Sequence, residues 1–582
     1  MKRPAVWAPN VSSMELITGN GRVSMKMSPG GWWEAPGISL KDGDEYAYSV
    51  DGGPWLPDPR SLRQPGGVHG PSAFVDHGMF PWTDDTWQPP PFASAVIYEI
   101  HAGTFSPEGT FEDIITRLDH LQSLGVTHLE LMPVNGFSGN HGWGYDGVNL
   151  YAPHEAYGGP DGLKKLVDAA HEKGIAVVLD VVYNHLGPEG NYLGFFGPYF
   201  SKKYASPWGD AINFDGPFSD EVRRFFLDNA RMWLADYHID GLRVDAVHAI
   251  FDQLALHFLE ELADVVRQVE AETEKHRYVI AESDLNDPRL VRDMEAGGYG
   301  LDAQWSDDFH HAVHALVTKE KNGYYGDFGK VAEVVKALEK TFVYDGVYSP
   351  FRKRRHGRDA GDVPPERFLG YIQNHDQVGN RALGERLGHL CGRRLQKVAA
   401  ACMFLSPFVP MLFQGEEWNT SSPFLYFTDH SDEKLGEAVR NGRRREFSGF
   451  GWDPADIPDP QEAKTFTRSK IDWAERETSE GRDMLEWYKR LAAFRRTHPA
   501  LKRGRRNMQV TFDEENRWLM LQRESVLLLC NFGSNPVIVP FPENAGDAVL
   551  RLKSQEGVVA GKGSFRLPSE SAAVFEVNQP GL

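Results

Sequence analysis

The chain is poor in cysteine and has a deficit of positive charge. Its three cysteines, Cys391, Cys402 and Cys530, are too few for the disulfide framework of a small secreted protein. Lysine and arginine total 62 against 82 aspartates and glutamates, so the formal net charge is −20 at pH 7. Because nucleic acids and anionic membranes attract basic surfaces, this balance argues against a protein that binds either of them.

Long apolar runs are also missing. The longest, from Ala399 to Phe413, is interrupted by Ser406, Pro407 and Pro410 and is too short to cross a bilayer. The first ten residues lack the apolar stretch of a signal peptide, and there is no Walker-type phosphate loop, CxxC pair or internal repeat. We therefore expect a cytoplasmic protein.

The chain is long and rich in aromatic side chains. Its 582 residues predict three to five domains, or one large domain with smaller ones attached. It has 15 tryptophans and 20 tyrosines, whose rings can stack on the apolar faces of sugars while carboxylates bind the hydroxyls. The composition thus favours a carbohydrate-active protein, although we expect most of these rings in the core.

The patterning divides the chain into three parts. Residues 1–88 alternate short strand-like runs with glycine-rich turns, and the stiff segment Gln88-Pro-Pro-Pro91 ends this part. Residues 89–503 alternate apolar strands with amphipathic helices, and residues 504–582 are again strand-like. We predict a β domain at each end of a central α/β domain.

The central part predicts parallel strands joined by helices, because its strands are apolar on both faces. Seven strands are clear and a weaker one at Ala303–Trp305 makes eight, which fits a (β/α)8 TIM barrel. A doubly wound open sheet is the alternative, weakened because no glycine-rich turn follows the first strand. Predicted helices include Phe111–Leu124, Leu254–Glu272, and one from an N-cap at Ser219 to about His238.

Ionisable side chains cluster at predicted strand ends, where barrels place their active sites. Asp245, Glu282 and Asp376 end three different strands, and Arg243 shares a face with Asp245 because they are residues i and i+2 of one strand. Cleavage of a glycosidic bond needs an acid for the leaving oxygen and a carboxylate for the oxocarbenium-like centre. We expect Arg243 to keep one carboxylate ionised while burial and crowding raise the pKa of another.

Histidines form a second group of candidates. His185 and His375 follow two of the strands and can donate hydrogen bonds to sugar hydroxyls. His310 and His314 are four residues apart and could together bind a metal. The simpler interpretation of that segment is a polar loop and the start of a helix.

Four segments resemble, in order, the signature regions of the α-amylase family of glycoside hydrolases: Asp180–His185, Gly241–His248, Ala281–Asp284 and Asn374–Asp376. The resemblance implies a retaining double displacement with Asp245 as nucleophile, Glu282 as general acid/base and Asp376 as transition-state stabiliser. It also implies a set of residues that hold the sugar at the bond to be cleaved: Tyr145, His185, Arg243 and His375. The N-terminal part resembles the β-sandwich that precedes the barrel in isoamylases and branching enzymes.

Further segments resemble the family members that release trehalose from the end of a maltooligosyltrehalose. These segments are Gly142–Pro153, Ala281–Pro288, Gln304–His311, Gln373–Gly384 and Pro423–His430. The resemblance implies hydrolysis of the α-1,4 bond next to the terminal α,α-1,1-linked disaccharide, with a maltooligosyltrehalose synthase as functional partner. We predict no cofactor and no metal, because no full set of oxygen ligands for calcium is visible.

Two alternatives remain at this stage. A branching or debranching enzyme of the same family would share every catalytic residue and differ in what attacks the intermediate. A catalytically inactive carbohydrate-binding relative is disfavoured, because it would lack one of the three carboxylates and none is missing.

Selection of the trehalose end must come from groups outside the catalytic set, because the bond that reacts is an ordinary α-1,4 link. We predict Asp308, His311 and Gln377 for this role, together with their neighbours Asp307 and His310. The alternative is that these polar residues only tie the loops together. Trp208, in the loop after the third strand, is predicted to stack on the substrate or else to pack its loop on itself.

Overall fold

A computed structural model describes residues 3–206, 208–448, 453–542 and 548–577. Eight parallel strands form a closed barrel: β1 (Ile97–Ile100), β2 (His128–Leu131), β3 (Ala176–Val181), β4 (Gly241–Val244), β5 (Tyr278–Ala281), β6 (Ala303–Trp305), β7 (Phe368–Tyr371) and β8 (Val409–Phe413). Strand β8 pairs in parallel with β1 and closes the ring. The predicted (β/α)8 barrel is confirmed, including its weak sixth strand, and the open-sheet alternative is wrong.

Helices surround the barrel and fill its connections. Their bounds are Ala102–Phe105, Phe111–Ile115, Leu118–Leu124, Gly159–Glu172, Leu193–Phe196, Ser219–Ala235, Phe258–Thr273, Asp307–Thr318, Val331–Lys340, His375–Gly379, Leu387–Cys391, Arg393–Leu405, Glu433–Ser448, Ala463–Ser469 and Ser479–Thr497. Every residue of the eight barrel strands is buried. Strands covered by side chains inside and by helices outside have no solvent face, which explains their continuous apolar pattern.

Three predicted helices differ from those observed. The helix predicted over Phe111–Leu124 is two helices, because Thr116 donates both its N–H and its hydroxyl to the carbonyl of Asp113 and tightens the chain into a turn. Phe218 rather than Ser219 occupies the N-cap of the next one, with φ of 65°. The third begins at Phe258, where His257 forms a capping box with Glu260.

The two ends of the chain form the predicted β domains. Strands before the barrel are Ala5–Trp7, Met14–Thr18, Gly21–Ser24, Lys26–Ser28, Trp32–Glu34, Glu45–Val50, Trp55–Leu56 and Ser72–Ala73, in a three-stranded and a five-stranded sheet. Strands after it are Met508–Asp513, Trp518–Arg523, Val526–Asn531, Val537–Pro540, Ala548–Lys553, Val559–Ala560, Ser564–Leu567 and Ser571–Val577, also in two sheets. The boundaries after residues 88 and 503 stay predictions.

A buried ionic cluster fastens the segment before the barrel to the barrel's N-terminal face. His171 Nδ1 lies 2.7 Å from Asp84 and its Nε2 2.9 Å from Asp240, the residue before β4. Trp87 stacks on the His171 ring at 4.4 Å and donates to Asp240. Burial opposes the charge, but the two carboxylates outweigh it and raise the pKa of His171.

Two buried arginines join the C-terminal sheet to the barrel through backbone carbonyl oxygens. Arg523 donates to the carbonyls of Leu405 and Ser406, and Arg495 donates to Ser406 and Phe408. Both therefore bind the carboxyl end of helix Arg393–Leu405, where backbone carbonyls lack partners within the helix. No helix of the described residues is long and apolar enough to cross a membrane.

Candidate active site

A cavity of about 570 Å³ lies at the carboxyl ends of the barrel strands. Ten of the eleven predicted site residues line it: Asp245, Glu282, Asp376, Tyr145, His185, Arg243, His375, Trp208, His311 and Gln377. Asp308 does not. The fold thus brings together residues from six strand ends, since side chains that follow parallel strands of a barrel converge on one mouth.

Asp245 follows β4 and is held by charged and amide donors. Arg243 donates to its Oδ1 at 2.9 Å and Asn184 donates to its Oδ2 at 2.8 Å. Burial favours the neutral acid, but Arg243, His185 and Asn184 outweigh it and lower the pKa of Asp245. An ionised carboxylate with fixed orientation is suited to act as a nucleophile.

Glu282 follows β5 and has the opposite protonation preference. Burial raises its pKa well above the ordinary value, and the carboxylates of Asp245, Asp307 and Asp376 add to this effect against Arg243. Its Oε2 accepts a hydrogen bond from the backbone N–H of Ala246 at 2.6 Å and lies 3.9 Å from an Arg243 nitrogen. The two carboxyl groups therefore differ in pKa in the directions that an acid and a nucleophile require.

Asp376 is oriented by a chain of groups that the sequence analysis missed. Asn380, one helical turn further on, donates to the Asp376 carboxylate, and Arg443 donates to the side-chain oxygen Oδ1 of Asn380 at 3.1 Å. Arg443 belongs to helix Glu433–Ser448 and lies over the Tyr426 ring, 4.9 Å from its centroid. The i, i+4 spacing of Asp376 and Asn380 was a readable signal, whereas Arg443 is too distant in sequence.

His185 and Trp208 form one wall of the cavity. Their rings stack with centroids 4.7 Å apart, and Nδ1 of His185 lies 2.5 Å from Oδ1 of Asn184. Trp208 remains 48% exposed and lines the cavity. Its role as a stacking platform stays a prediction, but the ring does not simply pack within its own loop.

The residues predicted to choose the trehalose end separate into two groups. Asp308 is buried, and its Oδ2 accepts hydrogen bonds from the backbone N–H groups of Val343 and Tyr344 and from the Asn286 side chain. It therefore ties loops together, which was the alternative to a role in selecting the trehalose end. Asp307, His311 and Gln377 line the cavity instead. Side chains of successive helical residues point about 100° apart, so Asp307 and Asp308 cannot both face the mouth.

The histidine pair considered for a metal is used otherwise. His310 is buried away from the cavity, and His314 Nε2 lies 2.7 Å from Glu320. Burial and the neighbouring His314 and His311 lower the pKa of His310. Within the described ranges no group of three or more His, Cys, Asp or Glu side chains has the arrangement of a metal site.

A hairpin over the cavity supplies further groups that sequence reasoning did not find. Strands Asp345–Ser349 and Arg354–Gly357 flank a turn that carries Phe351 and Arg352, both of which line the cavity. Arg352 donates to Asp284 at 2.9 Å. Nothing in the local pattern marked this loop, because its position depends on how it folds back over β5.

Comparison with known proteins identifies the family. The family model for the α-amylase catalytic domain matches residues 71–201, and the family model for a domain of unknown function matches residues 503–574. A malto-oligosyltrehalose trehalohydrolase of Arthrobacter ramosus is 48% identical over 99% of this chain and 100% of its own length. The chain belongs to the malto-oligosyltrehalose trehalohydrolase family. A trehalohydrolase of Saccharolobus solfataricus is 45% identical over 94% of the chain and 93% of its own length.

Solved structures agree with this trehalohydrolase fold. A Salmonella typhimurium protein assigned to the α-amylases is 38% identical, with a TM-score of 0.90 over 99% of this chain and 97% of its own. A pullulanase of Anoxybacillus sp. LM18-11 has a TM-score of 0.71 over 99% and 86% at 18% identity, which supports the fold alone. The chain is thus a glycoside hydrolase, and the inactive-relative alternative is not favoured.

Proposed function

We propose that the protein hydrolyses the α-1,4-glucosidic bond next to the terminal α,α-1,1-linked disaccharide of maltooligosyltrehalose, releasing trehalose and a maltooligosaccharide. The observation that carries the proposal is the full-length similarity to trehalohydrolases, combined with two cavity carboxyl groups whose pKa values are shifted in opposite directions. The branching-enzyme alternative is disfavoured, because a branching enzyme of Pseudoalteromonas atlantica is 28% identical over 59% of the chain, well below the trehalohydrolases.

In the first step we assign Asp245 as nucleophile and Glu282 as acid. An Asp245 oxygen attacks the anomeric carbon and forms a β-glycosyl ester, while protonated Glu282 transfers its proton to the glycosidic oxygen of the departing trehalose. The electron pair of the broken C–O bond stays on that oxygen. Arg243, which donates to Asp245, keeps the nucleophile ionised before attack.

In the second step the roles of Glu282 reverse. As a carboxylate it takes a proton from water, whose oxygen attacks the anomeric carbon and displaces Asp245. Two inversions give net retention of the α configuration. We assign Asp376 to stabilise the positive charge that develops on the sugar ring in both steps, with Asn380 holding its orientation.

Product analysis tests the proposal directly. The enzyme is incubated with maltotriosyltrehalose and, separately, with maltopentaose, and the products are separated by chromatography. We expect trehalose and maltotriose from the first substrate and much slower cleavage of the second. New branch points, or equal cleavage of both substrates, would contradict the proposal.

We also propose a cellular setting. The substrate class requires an enzyme that converts the reducing end of a maltooligosaccharide into an α,α-1,1 linkage, so a maltooligosyltrehalose synthase is the functional partner we infer. We place both in the cytoplasm, supported by the three free thiols. Fractionation of cells with an antibody against this chain tests the location.

A further inference from the structure

A chain of short hydrogen bonds connects barrel strand β1 to the active-site cavity through His375. Glu99, on β1, accepts from His375 twice: Oε1 lies 2.5 Å from Nδ1 and Oε2 accepts the backbone N–H at 2.9 Å. The Glu99 and His375 side chains are 1% and 4% exposed. Two bonds from one buried carboxylate fix both the position and the orientation of the imidazole ring.

The second ring nitrogen of His375 faces the Tyr145 hydroxyl oxygen, whose proton is already donated to another acceptor. Nε2 of His375 lies 2.8 Å from the Tyr145 hydroxyl oxygen, and Tyr145 donates to Asp180 Oδ2 at 2.6 Å. The same Asp180 oxygen accepts from Arg243 at 2.7 Å, which favours an ionised carboxylate. Because a phenol has one proton, the Tyr145 oxygen is then an acceptor toward His375. In this arrangement both imidazole nitrogens donate.

We propose that Glu99 is a positioning residue that holds His375 as an imidazolium ion facing the catalytic carboxylates. The proposal deepens the hydrolase function above and rests on it for its catalytic consequence. Burial opposes this charge, but Glu99 outweighs it and raises the pKa of His375. The titratable groups around the ring are Glu99 on β1, His101 after it, Tyr145 after β2, Asp180 on β3, Arg243 on β4 and the adjacent Asp376.

The imidazolium has a defined use in a retaining hydrolase. Asp245, Glu282 and Asp376 bring three carboxyl groups into one cavity, where the buried Arg243 donates to Asp245 and lies 3.9 Å from Glu282. A fixed positive charge beside Asp376 favours its ionised form, since His375 lowers the pKa that burial raises. The cation also donates to the Tyr145 hydroxyl oxygen through a charge-assisted hydrogen bond, which holds Tyr145 in place at the cavity.

A competing arrangement places the same number of protons on His375, Tyr145 and Asp180. In it Asp180 carries the second imidazole proton, and Tyr145 donates to a neutral His375. Burial raises the pKa of Asp180 to about 6, against the effect of Arg243. The Arg243 bond to the oxygen that also accepts from Tyr145 argues for the ionised form. The experiment below distinguishes the two.

Glu130 provides a matched control for Glu99. It lies on β2 directly opposite Glu99 in the parallel pairing, and it is equally buried. Neither of its oxygens has a hydrogen-bond partner among the described residues, and burial and Glu99 raise its pKa. Glu130→Gln replaces a protonated acid by an amide of the same shape, so it changes the same layer of the barrel without touching His375.

The test combines nuclear magnetic resonance with kinetics. In substrate-free enzyme with ¹⁵N-labelled histidine, the His375 signal is assigned by its loss in His375→Gln. We expect both ring nitrogens to be protonated at neutral pH in the wild type and in Glu130→Gln. In Glu99→Gln we expect the His375 ring to lose one proton at a lower pH than it does in the wild type or in Glu130→Gln.

Kinetics with maltotriosyltrehalose then separate charge from structure. Glu99→Gln should lower kcat at neutral pH on the order of tenfold to hundredfold, with a smaller change in KM and partial recovery of kcat at lower pH. Glu130→Gln should keep the wild-type pH profile. If Glu99→Gln fails to fold, Glu99→Asp retains the charge at a shorter reach and should keep the imidazolium.

Two results would overturn the proposal. One is a wild-type His375 with an unprotonated nitrogen at neutral pH, which assigns the proton to Asp180. The other is a loss of kcat in Glu99→Gln that is equal at every pH, which indicates a purely structural role. Failure of the wild type to release trehalose would contradict the proposed function and leave the resonance result unaffected.

Discussion

Two buried histidines lie at opposite faces of the barrel. Both are held by hydrogen bonds to carboxylates, but they have different roles. His171, at the N-terminal face, has a carboxylate on each nitrogen and is covered by Trp87. His375, at the carboxyl face, has Glu99 on one nitrogen and Tyr145, which lines the cavity, on the other. Both histidines are bonded to buried carboxylates, but of the two only His375 is hydrogen-bonded to a residue that lines the cavity.

The comparison shows that a perturbed pKa alone does not identify a catalytic group. A histidine between carboxylates is a stabilising element where the surroundings are sealed, and part of the chemistry where they open on a cavity. The two faces of the barrel should therefore respond differently to substitution. Changes at the carboxyl face should reduce activity with the fold intact, and changes at the N-terminal face should reduce stability with the chemistry intact.

The largest expected effect is that of the nucleophile. Asp245→Asn cannot form the glycosyl ester, so kcat should fall on the order of 10⁴-fold or more. Its circular dichroism spectrum and melting temperature should stay near those of the wild type, as the comparison requires for the carboxyl face. Polarimetry of the wild-type reaction adds a check: β-maltooligosaccharide as the first product would rule out retention.

Glu282→Gln sharpens the same contrast through pH. Because burial and neighbouring carboxylates raise the pKa of Glu282, wild-type activity should decline as pH rises through that value and the acid loses its proton. In the Glu282→Gln variant the decline of activity at high pH should disappear, together with most of the activity on maltotriosyltrehalose. A substrate with a good leaving group should be spared in the first step. An unchanged profile would assign the acid to another residue.

His171→Gln tests the N-terminal face. His171 has a raised pKa, so its contribution is complete below its unfolded-state pKa of about 6.5 and is lost as pH rises through the folded value. The pKa of Asp84 is lowered, since His171 and His238 outweigh its burial. The Asp84 contribution is therefore lost as pH falls below about 4. Between these limits the variant should be destabilised by about 3 kcal/mol.

Calorimetric melting at pH 6 measures the effect of His171→Gln, and kcat at 25 °C serves as its control. Since His171 lies at the face away from the cavity, kcat of the folded variant should equal that of the wild type. A fall in kcat without a change in melting temperature would break the distinction between the two faces.

The smallest effects are expected for Gln377, which lines the cavity, and for Asp308, which is buried and does not. Gln377 lines the cavity and accepts from Tyr324, so Gln377→Ala should lower kcat/KM for maltotriosyltrehalose about tenfold while maltopentaose cleavage changes little. Asp308→Ala leaves two backbone N–H groups without an acceptor and should instead lower the melting temperature. Parallel losses on both substrates in Gln377→Ala would place selectivity elsewhere.

Much of the fold was predictable, because buried parallel strands have a continuous apolar pattern and their ends are marked by polar residues. Asp245, Glu282 and Asp376 each follow a strand, so local sequence suffices to find them. Arg443 and Arg352 escaped, because they reach the cavity from a helix and a hairpin whose positions depend on packing over the barrel, whereas Asn380 was marked by its i, i+4 spacing from Asp376. Asp308 was misplaced because side-chain direction at a helix start follows from the exact residue at which the helix begins.

The paired arginines beneath the C-terminal sheet bear on how this enzyme can be divided. Arg495 belongs to the last barrel helix and Arg523 to the sheet, and both guanidinium groups donate to the Ser406 carbonyl. A fragment ending at residue 503 would keep Arg495 but lose Arg523 and expose the apolar surface that the sheet covers. Engineering that exchanges C-terminal domains among relatives must therefore carry the segment from helix Arg393–Leu405 onward as one unit.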